Sequence, residues 1–206
     1  MKAVNLNLRF FLLIGTTVIL FGCMPGVTVN PETSRVLKYG YLPAGKYEYY
    51  QPIKKIDLQR RKFKYLVVDN RFNNRQSVCS TMLVDIDSEL EGELGIQFFE
   101  DYLKAMTEYG SGSIDTSSEE PIRVELEVLS PKMVGFVYVR VHGLVQFNVI
   151  SDKIKKRYCS DMVDGDPDAP FGKHAVATRR HAMRKMVSGS ARRALEEFFT
   201  DLQNAK

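Results

Sequence analysis

The chain has 206 residues, of which 44% are hydrophobic and 26% charged, a composition that excludes a disordered polyelectrolyte and suffices for one domain with a proper core. Its formal charge of +4 falls to +2 once Lys2 and Arg9 are removed with the N-terminal segment, a balance too small to specify a partner.

Lys2 and Arg9 form a positive N-terminal region, and Phe10 to Phe21 is an uncharged run of 12 residues softened by Gly15, Thr16 and Thr17. A membrane-spanning helix needs about 20 apolar residues, so the run suits the central region of a signal peptide. It ends in Leu20-Phe21-Gly22-Cys23. This resembles the lipobox of bacterial lipoproteins, with a branched apolar residue three positions before the cysteine and a small residue just before it; Phe21 is bulkier than that pattern prefers. The resemblance implies that residues 1–22 are a lipoprotein signal peptide and that Cys23 becomes the acylated first residue. Met24, where inner-membrane lipoproteins carry Asp, implies the outer membrane with the domain facing the periplasm. The other reading is an ordinary signal peptide with an incidental Cys23, but no A-x-A cleavage site is evident nearby. Each buried CH2 of an acyl chain contributes about 0.8 kcal/mol, so a triacylated Cys23 would anchor the chain without a protein partner.

That compartment is oxidising, so Cys79 and Cys159 are expected to be joined. The alternative is two buried thiols packing as small hydrophobes.

Residues 23–62 read as a lipid-anchored tether and basic linker, punctuated by Pro25, Gly26, Pro31, Gly40, Pro43, Gly45 and Pro52. Tyr39, Tyr41, Tyr47, Tyr49 and Tyr50 suggest that part of it packs on the domain or a partner. Lys54 to Lys64 carries six bases against Asp57, a match for anionic headgroups or, on the plainer reading, a solvated edge.

The α/β domain is expected over 63–206. Tyr65 to Val68 reads as a buried strand and Val78 to Ile86 as a second. Leu90, Leu94, Phe98, Tyr102, Ala105 and Tyr109 recur at helical spacing, predicting a helix from about Ser88, although Gly92 and Gly95 allow a start near 95. The period then changes to two. Ile122, Val124, Leu126 and Val128 alternate with Arg123, Glu125 and Glu127, a strand with one wet face. After a turn over Pro131 to Gly135, Val137 to Val149 places Val, Phe or Gly on odd positions and Arg140, His142, Gln146 and Asn148 on even ones. A Ser151-Asp152 turn returns the chain as Lys153 to Val163, with Ile154 opposite Val149 and Tyr158 opposite Val145. A last helix runs from about Lys173 to Asn204, and Ser188-Gly189-Ser190 allows it to approach a sheet closely. The class is α+β: a single mostly antiparallel sheet with two long helices on one face, in the order β-β-α-β-β-β-α.

With the lipobox, this plan resembles the small α/β outer-membrane lipoproteins of Gram-negative bacteria of the YajG type, and shares a general plan with transport-auxiliary and lipopolysaccharide-assembly lipoproteins. The resemblance implies a non-catalytic accessory role and transfers no functional residue beyond Cys23.

Catalytic patterns such as G-x-S-x-G, H-E-x-x-H and the phosphate loop are absent from the sequence, so no enzyme activity and no cofactor are expected. Cys159 with His142 could form a nucleophile and base unless the cysteine is bridged. His174 and His181 are two helical turns apart, unsuited to a shared metal, and Asp161, Asp164, Asp166 and Asp168 lack the EF-hand spacing. No metal is expected, and the compartment excludes nucleic acid. Two binding functions remain: an adaptor for an envelope protein, or a carrier of lipid or a small hydrophobic ligand. An exposed apolar patch favours the first and an enclosed apolar cavity the second.

Overall fold

The computed structural model describes residues 49–73, 76–84, 90, 92–117, 120–136, 139–170 and 179–205. Cys23, the expected signal peptide and most of the tether lie outside them. The elements are β1 (Lys62–Phe63), β2 (Tyr65–Asp69), α1 (Glu93–Tyr109), β3 (Ser113–Ile114), β4 (Ile122–Val134), β5 (Arg140–Ile150), β6 (Lys155–Val163) and α2 (Arg179–Asn204). The class is α+β, with both helices packed on one face of the main sheet.

That sheet has the order β2-β4-β5-β6, with β2 parallel to β4 and the other neighbours antiparallel. A second, minimal sheet pairs β1 with β3, so the expected single sheet is one large and one very small. The chain order gains the short β3. The expected strand from Val78 is absent over residues 76–84, which make turns and one isolated bridge between Gln76 and Leu83. Val137 and Tyr138, expected at the start of a strand, fall outside the described residues.

Three corrections concern register. First, β4 does not turn at Pro131 but continues to Val134, with Pro131 opposite Gly143. Beyond Leu126 it has lost its β2 neighbour, and proline is tolerated on such an edge. Second, the ladder shifts between Leu126 and Val128, making Glu127 the extra residue of a β-bulge. The bulge reverses the alternation, so Leu129 rather than Val128 shares the core face with Val124 and Leu126. Third, Tyr158 lies opposite Phe147 rather than Val145, because Ser151 to Ile154 closes a longer loop, with Ser151 N–H donating to Ile154 O at 2.8 Å. A two-residue slip keeps every side chain on its face. Tyr158 is therefore still in the core and Cys159 on the opposite, outer face.

The core lies between helices and sheet. Phe99 of α1 meets Phe147 at 5.3 Å between centroids, and Phe198 of α2 meets Phe147 and Tyr158 at 6.1 and 5.6 Å. Residues 49–62, assigned by sequence to the tether and linker, belong to the folded unit. Tyr49, Tyr50, Ile56 and Leu58 are buried. Tyr102 Oη donates to Tyr50 O at 2.8 Å and accepts from Tyr50 N–H at 2.9 Å. From the basic run, the Arg61 guanidinium donates to Leu202 O and Ala205 O at 2.5 and 3.1 Å, and the domain begins no later than Tyr49.

The Ser-Gly-Ser segment does bring α2 close to the sheet. Ser190 Oγ donates to Ser160 O on β6 at 2.9 Å, and a Cβ at Gly189 would sit 2.4 Å from Met162 Sδ. The sheet makes the matching concession at Gly143, where a Cβ would lie 2.1 Å from Met186 O, a backbone atom. Because backbone cannot swing aside, Gly143→Ala should force α2 off β5 and cost about 3 kcal/mol. A fall in the urea midpoint with an unchanged m-value would show this; an unchanged midpoint would refute the close approach.

Candidate functional site

The outer face of the sheet, opposite the helices, is where residues with chemistry converge. Cys79 and Cys159 are joined in a disulfide, with Cα atoms 5.9 Å apart. Strand alternation puts Cys159 on that face beside Gln146, its ladder partner, and the bulge adds Glu127. Gln146 Oε1 accepts from Ser77 Oγ at 3.1 Å and from Val78 N–H at 2.7 Å. Its amide nitrogen donates to Glu127 Oε2 at 2.6 Å. Glu127 in turn takes Arg157 Nε at 2.7 Å and a second guanidinium bond at 2.9 Å. The hydrogen bonds to Glu127 hold the Arg157 guanidinium above its ordinary pKa. Gln146 and Glu127 are buried, so the expected wet face is covered here by a segment with its own polar bonding.

This arrangement holds a loop; it does not activate a nucleophile. Cys159 is oxidised, and His142 Nδ1 lies 2.8 Å from Asp161 Oδ1, which removes the Cys159–His142 pair as catalytic machinery. His174 lies outside the described residues, and for His181 only the helical backbone is described. The loop's display is apolar: Val78 and Leu83 are each 65% exposed and Phe72, in the 3-10 turn Arg71–Asn73 after β2, is 66% exposed. Gln76 to Thr81 line an open surface hollow of about 410 Å³. Lys132 Nζ ties the far end of the loop to β4 through Leu83 O at 2.8 Å.

The acidic residues after β6 serve a different end. Asp164 Oδ1 accepts the Val141 N–H at 3.0 Å. Asp166 accepts Val163 N–H and pairs with Arg193 at 3.0 Å, and Asp168 binds both Arg193 and the wholly buried Arg192. Burial raises the Asp168 pKa, but the hydrogen bonds of Arg193 and the charges of both arginines outweigh it and hold the carboxyl below its ordinary value. One turn on, Glu196 accepts Ile53 N–H, seating the start of the domain on α2. Burial holds Glu196 above its ordinary value despite that bond and the Arg192 charge. Among the described residues, no group of three or more His, Cys, Asp or Glu is placed to hold a metal ion.

Sequence reasoning named the cysteines but missed Ser77, Glu127, Gln146 and Arg157. On an alternating strand their only signal was polarity, which a solvated face shares. Comparison with family models, characterised proteins and solved structures finds no match.

Two outcomes test these assignments. Removing the bridge as Cys79→Ser with Cys159→Ser opens a loop with a sequence separation of 80 and should cost about 3–4 kcal/mol, read as a lower denaturation midpoint that reductant no longer alters. Acid acts on the arginine cluster with opposite signs. The folded Asp168 pKa lies below the ordinary 3.8, so its pairing stabilises above that value and is lost as pH falls towards the folded one. The folded Glu196 pKa lies above the ordinary 4.5, so its contribution is fully present below 4.5 and is lost as pH rises through the folded value. In urea titrations from pH 3 to 7, Asp168→Asn should flatten the acid limb and Glu196→Gln the limb above pH 4.5.

Proposed function

We propose that this chain is an outer-membrane lipoprotein, acylated on Cys23 and facing the periplasm, that acts as a non-catalytic adaptor for an envelope protein. The observation that carries the adaptor reading is the segment from Arg71 to Leu83. It exposes Phe72, Val78 and Leu83 while Ser77 and Cys79 are tied to β5 and β6. Apolar side chains held out on a pinned segment match a docking surface, because a partner would gain apolar burial without having to order the loop first. The disulfide fits an oxidising compartment, and the Leu20-to-Cys23 pattern supplies the anchor. No helix among the described residues is long and apolar enough to cross a membrane.

The carrier reading gains no such support. The space between helices and sheet is filled by Phe98, Phe99, Phe147, Phe198 and Phe199, all wholly buried. A ligand there would have to displace packed aromatic rings, at a cost of several kcal/mol.

The test is a photo-crosslinker at position 83 in living cells, with mass spectrometry of the captured protein and of the Cys23 peptide. A single stoichiometric envelope protein, lost in the Val78→Asp, Leu83→Asp double variant at unchanged thermal stability, is expected. Uniform capture of abundant proteins would overturn the adaptor reading, and an unmodified Cys23 would overturn the anchor.

A further inference from the structure

The two edges of the main sheet differ in kind. β6, at one edge, carries the exposed Lys155, Lys156 and Arg157, the sort of charge that keeps an edge strand from pairing further. β2, at the other edge, reads Tyr65-Leu66-Val67-Val68-Asp69 and has neither lysine nor proline. Leu66 is 48% exposed. An apolar edge strand of this composition is a ready template for another strand.

The backbone shows which groups remain to be paired. Lys64 O accepts from Ile122 N–H at 2.8 Å, and Asn70 N–H donates to Leu126 O at 2.8 Å. In the parallel ladder Tyr65 lies opposite Ile122, Val67 opposite Val124 and Asp69 opposite Leu126. Backbone groups alternate in direction along a strand. Those of Leu66 and Val68 therefore face β4, while the N–H and C=O groups of Tyr65, Val67 and Asp69 point away from the sheet. Among the described residues none of these outward groups has a backbone partner. The side chains divide between the faces. Tyr65 and Val67 pack against the core, with the Tyr65 hydroxyl 3.1 Å from Thr107 Oγ1 on α1, so Leu66 and Val68 lie on the outer face.

This layout is complementary to itself. When β2 of a second copy runs antiparallel with Val67 opposite Val67, Tyr65 of each copy faces Asp69 of the other, and every outward N–H meets an outward C=O. These become the hydrogen-bonded pairs of a new ladder. Between them Leu66 of each copy meets Val68 of the other on the outer face, apolar against apolar. Asp69 is the only charged residue of the strand. In this register it stays roughly 14 Å from its counterpart along the strands, and its carboxylate is already held by Arg71 at 2.7 Å. A register centred on Asp69 would set the two carboxylates side by side, and one centred on Tyr65 would leave the Asp69 groups of both copies unpaired.

We propose that two copies of this chain associate through β2, joining their four-stranded sheets into one about a two-fold axis at Val67. The proposal depends neither on acylation of Cys23 nor on the adaptor reading, and it leaves Val78 and Leu83 outside the new ladder. A strand pair of five residues a side is smaller than a standard interface, which begins at about 1,200 Å². The association is therefore concentration-dependent, and a covalent trap is the direct way to read it.

Two differently tagged full-length copies are expressed together, one with Leu66→Cys and the other with Val68→Cys. In the proposed register these positions form a non-hydrogen-bonded pair with Cα atoms about 4.5 Å apart, within the reach of a disulfide, whereas each position and its own counterpart are diagonal neighbours about 7–8 Å apart, beyond it. A mixed disulfide between the tags is expected at least about tenfold above that of either like pair. Equal trapping in like and mixed pairs, or no trapping between tags, overturns the proposal, as does a disulfide from both positions to a different protein. Val67→Pro removes an N–H that β4 does not use, a change an edge strand tolerates. Placed in both copies, it should abolish the mixed disulfide at unchanged thermal stability, and trapping that persists overturns the pairing. Amide exchange reads the same ladder in the purified, unsubstituted chain, so the test stands whether or not Val67→Pro folds. Raising the protein concentration should slow exchange at Val67 and Asp69 and leave Leu66 and Val68, already bonded to β4, unchanged; exchange at Val67 that does not depend on concentration overturns the proposal.

Discussion

The extra residue at Glu127 is the constraint from which most of this architecture follows. Before it, β4 pairs with β2 on one side and β5 on the other, offering Val124 and Leu126 to the core. After it, the alternation is reversed, Leu129 takes the core position, and β4 continues on β5 without β2, β5 itself remaining paired with β6 as far as His142. A bulge increases local twist and bends its strand, and here it lies where β2 ends. The same residue places a carboxylate on the outer face, where it orients Gln146 and holds Arg157. With its amide nitrogen held by Glu127, Gln146 turns its oxygen to Ser77 and Val78 of the covering segment.

How much of this was legible in the sequence depended on how many residues carried each signal. The β5 alternation and the α1 stripe were spread over many positions, and the stripe predicted the buried face at Phe98, Tyr102 and Ala105 while Leu94 and Tyr109 at its ends are exposed, because burial of a whole side of an element is a collective property. Features that turn on one residue were not legible. Pro131 looked like a turn because nothing local shows that β4 has already become an edge. Val78 to Ile86 looked like a strand because β-branched and apolar residues suit either a buried strand or a pinned loop. The β5–β6 register was wrong by two because loop length was inferred from a Ser-Asp pair, and the faces survived because the error was even. Tyr49 and Tyr50 were placed in a proline-rich tether by their neighbours, whereas their burial depends on Tyr102, 52 positions beyond Tyr50. The disulfide was legible for a different reason: it followed from the compartment that the Leu20-to-Cys23 pattern leads one to expect, and strand alternation then put Cys159 on the outer face.

The two polar clusters divide the work of holding segments that have little core of their own. On the helix side, Arg192 is wholly buried between Asp168 and Glu196. Burying a charge is costly unless it is paired and hydrogen-bonded. That cost is met by acids from a loop and by a carboxylate that also seats Ile53, so one helix residue fixes the β6–α2 connection and the start of the domain relative to each other. On the outer face, Gln146 and Glu127 do the same for the segment after β2. In both places carboxylates, amides and guanidinium groups bond to one another and to backbone. Their use is positional, which agrees with a protein whose exposed features are apolar.

The disulfide belongs to this pattern rather than to the core. It joins two positions on the face away from Phe147 and Phe198, where the aromatic packing already holds the sheet to its helices. Its effect is therefore felt by the segment around Ser77 to Thr81, which is tied to β5 by two hydrogen bonds to Gln146 and leaves Val78 65% exposed. A loop so weakly packed would open locally at small cost, and a partner binding it would have to supply the ordering free energy. Closing it covalently moves that cost from the encounter to the oxidative folding of the chain. Val78 and Leu83 can then remain exposed without collapsing onto the sheet, a state that hydrogen bonds alone would hold less firmly than an apolar loop tends to leave it.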